Sequence, residues 1–150
     1  AAERVGAQGK VLACDIQSTV TVFPPNVEFH QEDVFRRSEA FERQLAETGP
    51  FHVVMSDMAP QTTGTKFTDQ ARSLELCLEA LAVAEKYLVK GGSFVVKIFM
   101  GPDVGELLKG MRPRFARVTS FKPQSSRVES KETFFVGLGF KGREAESVRD

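Results

Sequence analysis

Cysteine and histidine are scarce in this chain of 150 residues, with two of each. Cys14 and Cys77 both stand in apolar settings, which argues against a disulfide framework and for a reducing compartment such as the cytoplasm. His30 and His52 fall in separate apolar runs without a paired motif, so no soft-metal site is expected. Magnesium, which asks for only one or two carboxylates plus substrate phosphates, is left open by that inventory. No apolar run approaches the roughly 20 residues that span a bilayer, so no membrane partner is expected. The opening AAERVGAQGK is polar and mixed in charge, and it does not read as a secretory signal. A Ser-His-Asp order, a phosphate-binding P-loop and a paired-cysteine motif are all missing.

An excess of one charge is missing too. Lysine and arginine number 20, and so do aspartate and glutamate. The distribution is less even. Between positions 109 and 131, Lys109, Arg112, Arg114, Arg117, Lys122, Arg127 and Lys131 stand against Glu129 alone, a local excess of six positive charges. Such a stripe reads either as a footprint for a polyanion or as a solvated surface.

What is present is an alternation of strands and helices. KVLACDI reads as a strand ending at Asp15, VEFHQED as a strand ending near Asp33, and FHVVMSD as a strand ending at Asp57. A helix is predicted from Arg37 to Thr48, closed by Gly49 and Pro50. After the long loop MAPQTTGTKFTD, a second helix is marked by Ala71, Leu74, Leu78, Leu81 and Leu88, with Cys77 and Ala84 on the same face. Thr68 or Asp69 is expected to cap it, and Gly91 with Gly92 to end it. SFVVKIF reads as the next strand and PDVGELLKGMRPRF as a shorter helix. ARVTSFKP and KETFFVGLGF read as a final antiparallel pair. The pattern implies one α/β domain over residues 1–150, with a mostly parallel sheet, an antiparallel last strand and helices on both faces. The near-continuous apolar strands agree with burial on both sides.

In sheets of this class the site lies beyond the carboxyl ends of the strands. Asp15, Asp33 and Asp57 all stand there. An acid at such a strand end accepts from ribose hydroxyls or from an adenine amine, or it closes a local Asx turn. Lys97, in GGSFVVKIFMG, is the other anomaly, because lysine is rarely buried without a partner. It either snorkels to water at the strand end or is held in a pocket for chemistry.

The blocks VVMSDMAPQTTGTK, DQARSLELCLEALAVAEKYLVKGGSFVVKIFMG and KPQSSRVESKETFFVG resemble the FtsJ family, S-adenosylmethionine-dependent ribose 2′-O-methyltransferases that act on RNA. The likeness runs from Gly9 to about Gly139 and is nearest to the bacterial branch that modifies a uridine of large-subunit ribosomal RNA. It implies a doubly wound, Rossmann-like methyltransferase sheet, S-adenosylmethionine as cofactor and ribosomal RNA of the large subunit as partner. Of the family's Lys-Asp-Lys-Glu tetrad, Asp57, Lys97 and Glu132 match the last three members, with Lys97 as general base. Asp15, Asp33 and Asp57 match positions that border the cofactor. Lys66, Arg72, Lys122, Arg127 and Lys131 are the candidates for RNA phosphates, which position a substrate without reading its sequence.

The family's first strand, its glycine-rich turn with the usual tryptophan, and the first lysine of the tetrad have no match in this sequence. AAERVGAQGK resembles the helix and turn that follow that glycine-rich loop, so the sheet is expected to lack its central strand. Two other readings stand beside the ribosomal one: an inactive RNA-binding fragment of the same fold, and a transfer RNA 2′-O-methyltransferase.

Overall fold

The computed structural model describes residues 1–122 and 132–143. These fall into two compact units, one comprising residues 1–49 and the other beginning at Pro50. No helix among the described residues is long and apolar enough to cross a membrane.

The first unit holds α1 (Ala2–Val5), β1 (Val11–Asp15), β2 (Val27–Gln31) and α2 (Glu39–Thr48). β1 and β2 pair in parallel, from Val11 opposite Val27 to Asp15 opposite Gln31. Asn26 donates both to the Ala2 carbonyl and to that of Gly6, at 3.1 Å each, and so ties the first helical turn to the entry of β2. α2 begins two residues later than the apolar pattern predicts. Ser38 is its N-cap and accepts from the Phe41 N–H at 3.1 Å, satisfying one of the donors a helix start leaves orphaned. Arg37 lies outside the helix and instead pairs with Glu42. Phe41 and Leu45, one turn apart, are the buried residues of α2.

The second unit holds β3 (Phe51–Ser56), α3 (Lys66–Tyr87), β4 (Leu88–Phe99), α4 (Val104–Met111), β5 (Phe115–Phe121) and β6 (Glu132–Phe140). The four strands lie in the order β3-β4-β6-β5. β3 and β4 are parallel, while β6 runs antiparallel to both of its neighbours. The predicted mixed sheet with its antiparallel last strand is therefore present.

The core follows from strand alternation. Phe94, Val96 and Ile98 of β4 point to one face and are almost wholly buried. Cys77, Ala80, Leu81 and Ala84 of α3 pack on them, as do Leu107 and Met111 of α4. Both helices of this unit thus cover the same face. The alternate residues Val95, Lys97 and Phe99, with Val136 and Phe134 on β6, are only half-buried. On β3, Val53 and Met55 are 50% and 62% exposed.

Two expectations about α3 fail in an instructive way. Leu78 lies 39% exposed, whereas the small Ala80 and Ala84 are buried. Close approach of a helix to a sheet favours small side chains, and a count that weights large apolar residues admits Leu78 and overlooks Ala80. Gly91 and Gly92 do not end the helix, which stops at Tyr87 and passes directly into β4. The glycines serve a bulge. Phe51 stands opposite Leu88 but Val53 opposite Ser93, and Gly91 takes the left-handed φ of 87° that this kink demands.

Candidate active site

Lys97 owes its position to pairing with β6. The antiparallel register sets Lys97 opposite Phe134 and Phe99 opposite Glu132. Lys97 and Glu132 are therefore diagonal neighbours on one face, close enough for long side chains to meet. The Lys97 Nζ lies 3.8 Å from Glu132 Oε1, with the lysine side chain 17% exposed and the glutamate 42%. At that separation the contact is an ion pair and not a short hydrogen bond.

Asp57 reaches the same place from the other side. The parallel register runs from Val53 opposite Ser93 to Ser56 opposite Val96. Asp57, the next residue, is level with Lys97 and shares the alternation of the half-open face. Neighbouring strands lie about 4.8 Å apart. Lys97 and Glu132 thus meet on one face of the sheet, and Asp57, the first residue after β3, follows at the same end.

The backbone beneath Lys97 is held by α3. β3 stops at Ser56, opposite Val96, so β4 continues past its parallel neighbour. Three residues on the inner stripe of the helix take hold of the stretch that is left. The Cys77 thiol donates to the Lys97 carbonyl at 3.0 Å, and the Phe99 N–H donates to the Ser73 hydroxyl at 3.0 Å. The Gln70 amide donates to the Met100 carbonyl at 2.8 Å. Burial pushes the Cys77 thiol up to about 12, so it is a structural donor and not a nucleophile.

One turn earlier, Asp69 does not cap α3. The helix begins at Lys66 with Thr65 as its N-cap, and Asp69 lies within its first turn. Its carboxylate instead accepts from both the N–H and the hydroxyl of Thr63, at 2.8 Å each. These bonds tie down the loop that begins at Asp57. The Thr63 N–H is the chief reason that the Asp69 carboxyl lies below its ordinary value, helped by the Thr63 hydroxyl, the Gly64 N–H and the charge of Arg72. Sequence reasoning missed Gln70, Ser73 and Cys77 as a set. The signal was available: all three occupy inward positions of an otherwise apolar helical stripe.

In the first unit, Asp15 is the last residue of β1, and Asp33 lies two residues beyond β2. Both stand at the carboxyl end of the parallel pair. Each directs one oxygen at its own turn: Asp15 Oδ1 accepts from the Gln17 N–H and Asp33 Oδ1 from the Phe35 N–H, both at 2.9 Å. That fixes the carboxylate while the other oxygen keeps its acceptor capacity. The pair fits the donors of an adenosine, whose ribose hydroxyls and adenine amine both call for carboxylate acceptors. Cys14 is exposed, contrary to the apolar setting expected of it.

Of the phosphate candidates, Lys66 opens α3, Arg72 follows on the same helix and Lys122 follows β5; all three are exposed. Arg127 and Lys131 lie outside the described residues. The basic stripe is partly neutralised, since Lys109 pairs with Glu106 at 3.3 Å and Arg114 with Glu85 at 2.9 Å.

The chain matches known proteins along nearly its whole length. The profile of the FtsJ-like methyltransferase family covers residues 1–140. The ribosomal RNA large subunit methyltransferase E of Nitratidesulfovibrio vulgaris is 74% identical over 142 residues, which is 95% of this chain and 71% of the relative. The protein of that name from Bdellovibrio bacteriovorus is 48% identical over 144 residues, 94% of this chain and 72% of the relative. Among solved structures, a Plasmodium falciparum protein assigned as a ribosomal RNA methyltransferase superposes with a TM-score of 0.78 at 25% identity. That match covers 94% of this chain and 78% of the other.

Proposed function

Because this chain belongs to the FtsJ-like methyltransferase family, we propose that it methylates a ribose 2′-hydroxyl, that of a uridine in 23S ribosomal RNA, with Lys97 as the general base and S-adenosylmethionine as the methyl source. The names of its relatives support large-subunit ribosomal RNA as the substrate. A reaction on that RNA takes place in the cytoplasm, in keeping with the scarcity of cysteine. The observation that supports the chemistry is the Lys97–Glu132 contact at the end of the sheet where Asp57 follows β3.

When bound, S-adenosylmethionine supplies a methyl carbon made electrophilic by its sulfonium. Asp15 and Asp33 are the residues of the first unit that would hold its ribose and adenine. The chain's own task at the reaction is to position the 2′-oxygen and to remove its proton. The bound cofactor would supply the methyl carbon to the 2′-oxygen, with its sulfur leaving as a neutral thioether. Lys97 acts as the neutral amine, its ammonium having first released a proton to solvent, and the hydroxyl proton passes to it. Glu132, 3.8 Å away, then faces the ammonium so formed and stabilises it. Asp57 shares that face and is placed to orient the amine or the hydroxyl. Lys66, Arg72 and Lys122 meet phosphates, while Arg127 and Lys131 extend the same basic stripe in sequence.

The test is methyl transfer from radiolabelled S-adenosylmethionine to undermethylated large-subunit RNA, mapped by resistance of one linkage to alkaline cleavage. Lys97→Met is expected to lower the rate by roughly 10²- to 10⁴-fold, the usual contribution of a positioned acid–base group. A Lys97→Met variant as fast as the parent rules out the assignment of the base. Absence of any linkage protected by the parent chain rules out the reaction.

A further inference from the structure

The half-open face beside Lys97 carries a row of aromatic side chains. Lys97 of β4 stands opposite Phe134 of β6, and Phe134 stands opposite Phe121 of β5. Residues paired in this way share a face, so the three lie in one line across neighbouring strands. At about 4.8 Å per strand the line is roughly 10 Å long. Phe134 is half-buried, but Phe121 is 57% exposed. A large exposed aromatic on an edge strand is a liability that edge strands ordinarily avoid. Its backbone is nevertheless pinned: Thr133, buried on the opposite face, donates its hydroxyl to the Phe121 carbonyl at 3.2 Å. Arg117, four residues earlier on the same face of β5, and Lys122, the residue that follows, are both exposed. Flat rings in line across a sheet, flanked by cations, form the kind of surface on which sheet proteins stack unpaired bases.

We propose that Phe134 and Phe121 form a stacking shelf for two consecutive unpaired bases of the RNA, resting on the ribose methylation reading above. With the target ribose at Lys97, its own base lies one strand away over Phe134, and the neighbouring base lies over Phe121. Arg117 and Lys122 meet the phosphates alongside. Such a shelf takes nucleotides splayed out of a helix and refuses an A-form duplex, in which the base faces are already stacked.

The probe is a short single-stranded uridine-rich RNA carrying one 2-aminopurine, whose fluorescence falls on stacking. The parent chain is expected to bind and quench it, and to lose the quenching when the strand is annealed to its complement. Phe121→Ala and Phe121→Leu are expected to weaken binding by roughly 5- to 100-fold, the range of one lost base–aromatic stack. Phe121→Trp should restore it. A Phe121→Leu variant that binds as the parent does would mean apolar packing and overturns the shelf, as does a parent chain that gives no quenching. Methyl transfer measured on the same proteins separates the two readings. A parent that quenches but transfers no methyl removes the reaction and keeps the shelf. A parent that transfers methyl with a KM for RNA unchanged in Phe121→Ala removes the shelf and keeps the reaction.

Discussion

Replacing Ser73 by alanine tests whether α3 governs the placement of Lys97. Ser73 is 1% exposed, and its hydroxyl accepts from the Phe99 N–H at 3.0 Å. Alanine fits the space but leaves that N–H buried and unpaired. An orphaned buried donor costs about 1–3 kcal/mol, more than the net worth of the bond itself. Because the hydroxyl also lies against the Cys77 thiol, the loss loosens a second grip, the one on the Lys97 carbonyl. Urea unfolding of Ser73→Ala should therefore show a stability loss of about 1–3 kcal/mol, with the slope unchanged. Amide hydrogen exchange should be faster at Phe99 than the global loss alone accounts for. Methyl transfer should fall in kcat with little change in the affinity for RNA, since no phosphate contact is touched. A stability loss under about 0.5 kcal/mol together with a parental exchange rate at Phe99 would refute the reasoning, for the hydroxyl would then carry none of the load assigned to it.

Other outcomes follow from the same geometry. Gly101→Ala would set its Cβ 2.5 Å from the Gln70 side-chain carbon, so Gln70 must withdraw from the Met100 carbonyl; about 0.5–1.5 kcal/mol of stability should be lost by urea titration, the net worth of that hydrogen bond. Asp69 is depressed in the folded state, so its contribution is fully present above the ordinary value of about 3.9 and is lost only as pH falls through the lower folded one. The Thr63 amide resonance should accordingly titrate with a midpoint below that value, and a midpoint at or above it refutes the contact. Cys77, pushed up to about 12, holds almost no thiolate at pH 8. Iodoacetamide should therefore label native protein once, at the exposed Cys14, and slowly, because desolvation and the charges of Asp15 and Glu32 push that thiol up too; mass spectrometry finding label on Cys77 would contradict its burial.

How much of this was legible in the sequence depended on how local each cause is. The strand end at Asp15 was plain, and the one placed at Asp57 was off by a single residue, because an apolar run followed by an acid and a polar loop is a contiguous signal. The antiparallel nature of the last two strands was legible from the turn-rich segment between them. The end of α3 was misread because a glycine pair ordinarily closes a helix, whereas here a mismatch in register between β3 and β4 uses it. Asp69 was misread as a cap because capping is the usual use of an acid near a helix start. Its real partner, Thr63, depends on where the loop folds back. The Lys97–Glu132 ion pair lies beyond any spacing rule, since it requires the register of β4 on β6. Only the family resemblance anticipated it. Gln70 and Ser73 look like breaks in an apolar stripe, and Cys77 like one more member of it, until it is known that β3 ends one residue short of Lys97.

That one-residue shortfall has a consequence for how the protein can vary. Since the rim of β4 is anchored by α3 and by β6 and not by β3, the segment between Asp57 and Thr63 can lengthen, shorten or change composition while the amine stays put. Recognition can drift in that segment without retuning reactivity, so substrate preference and catalytic competence are separable traits in this scaffold.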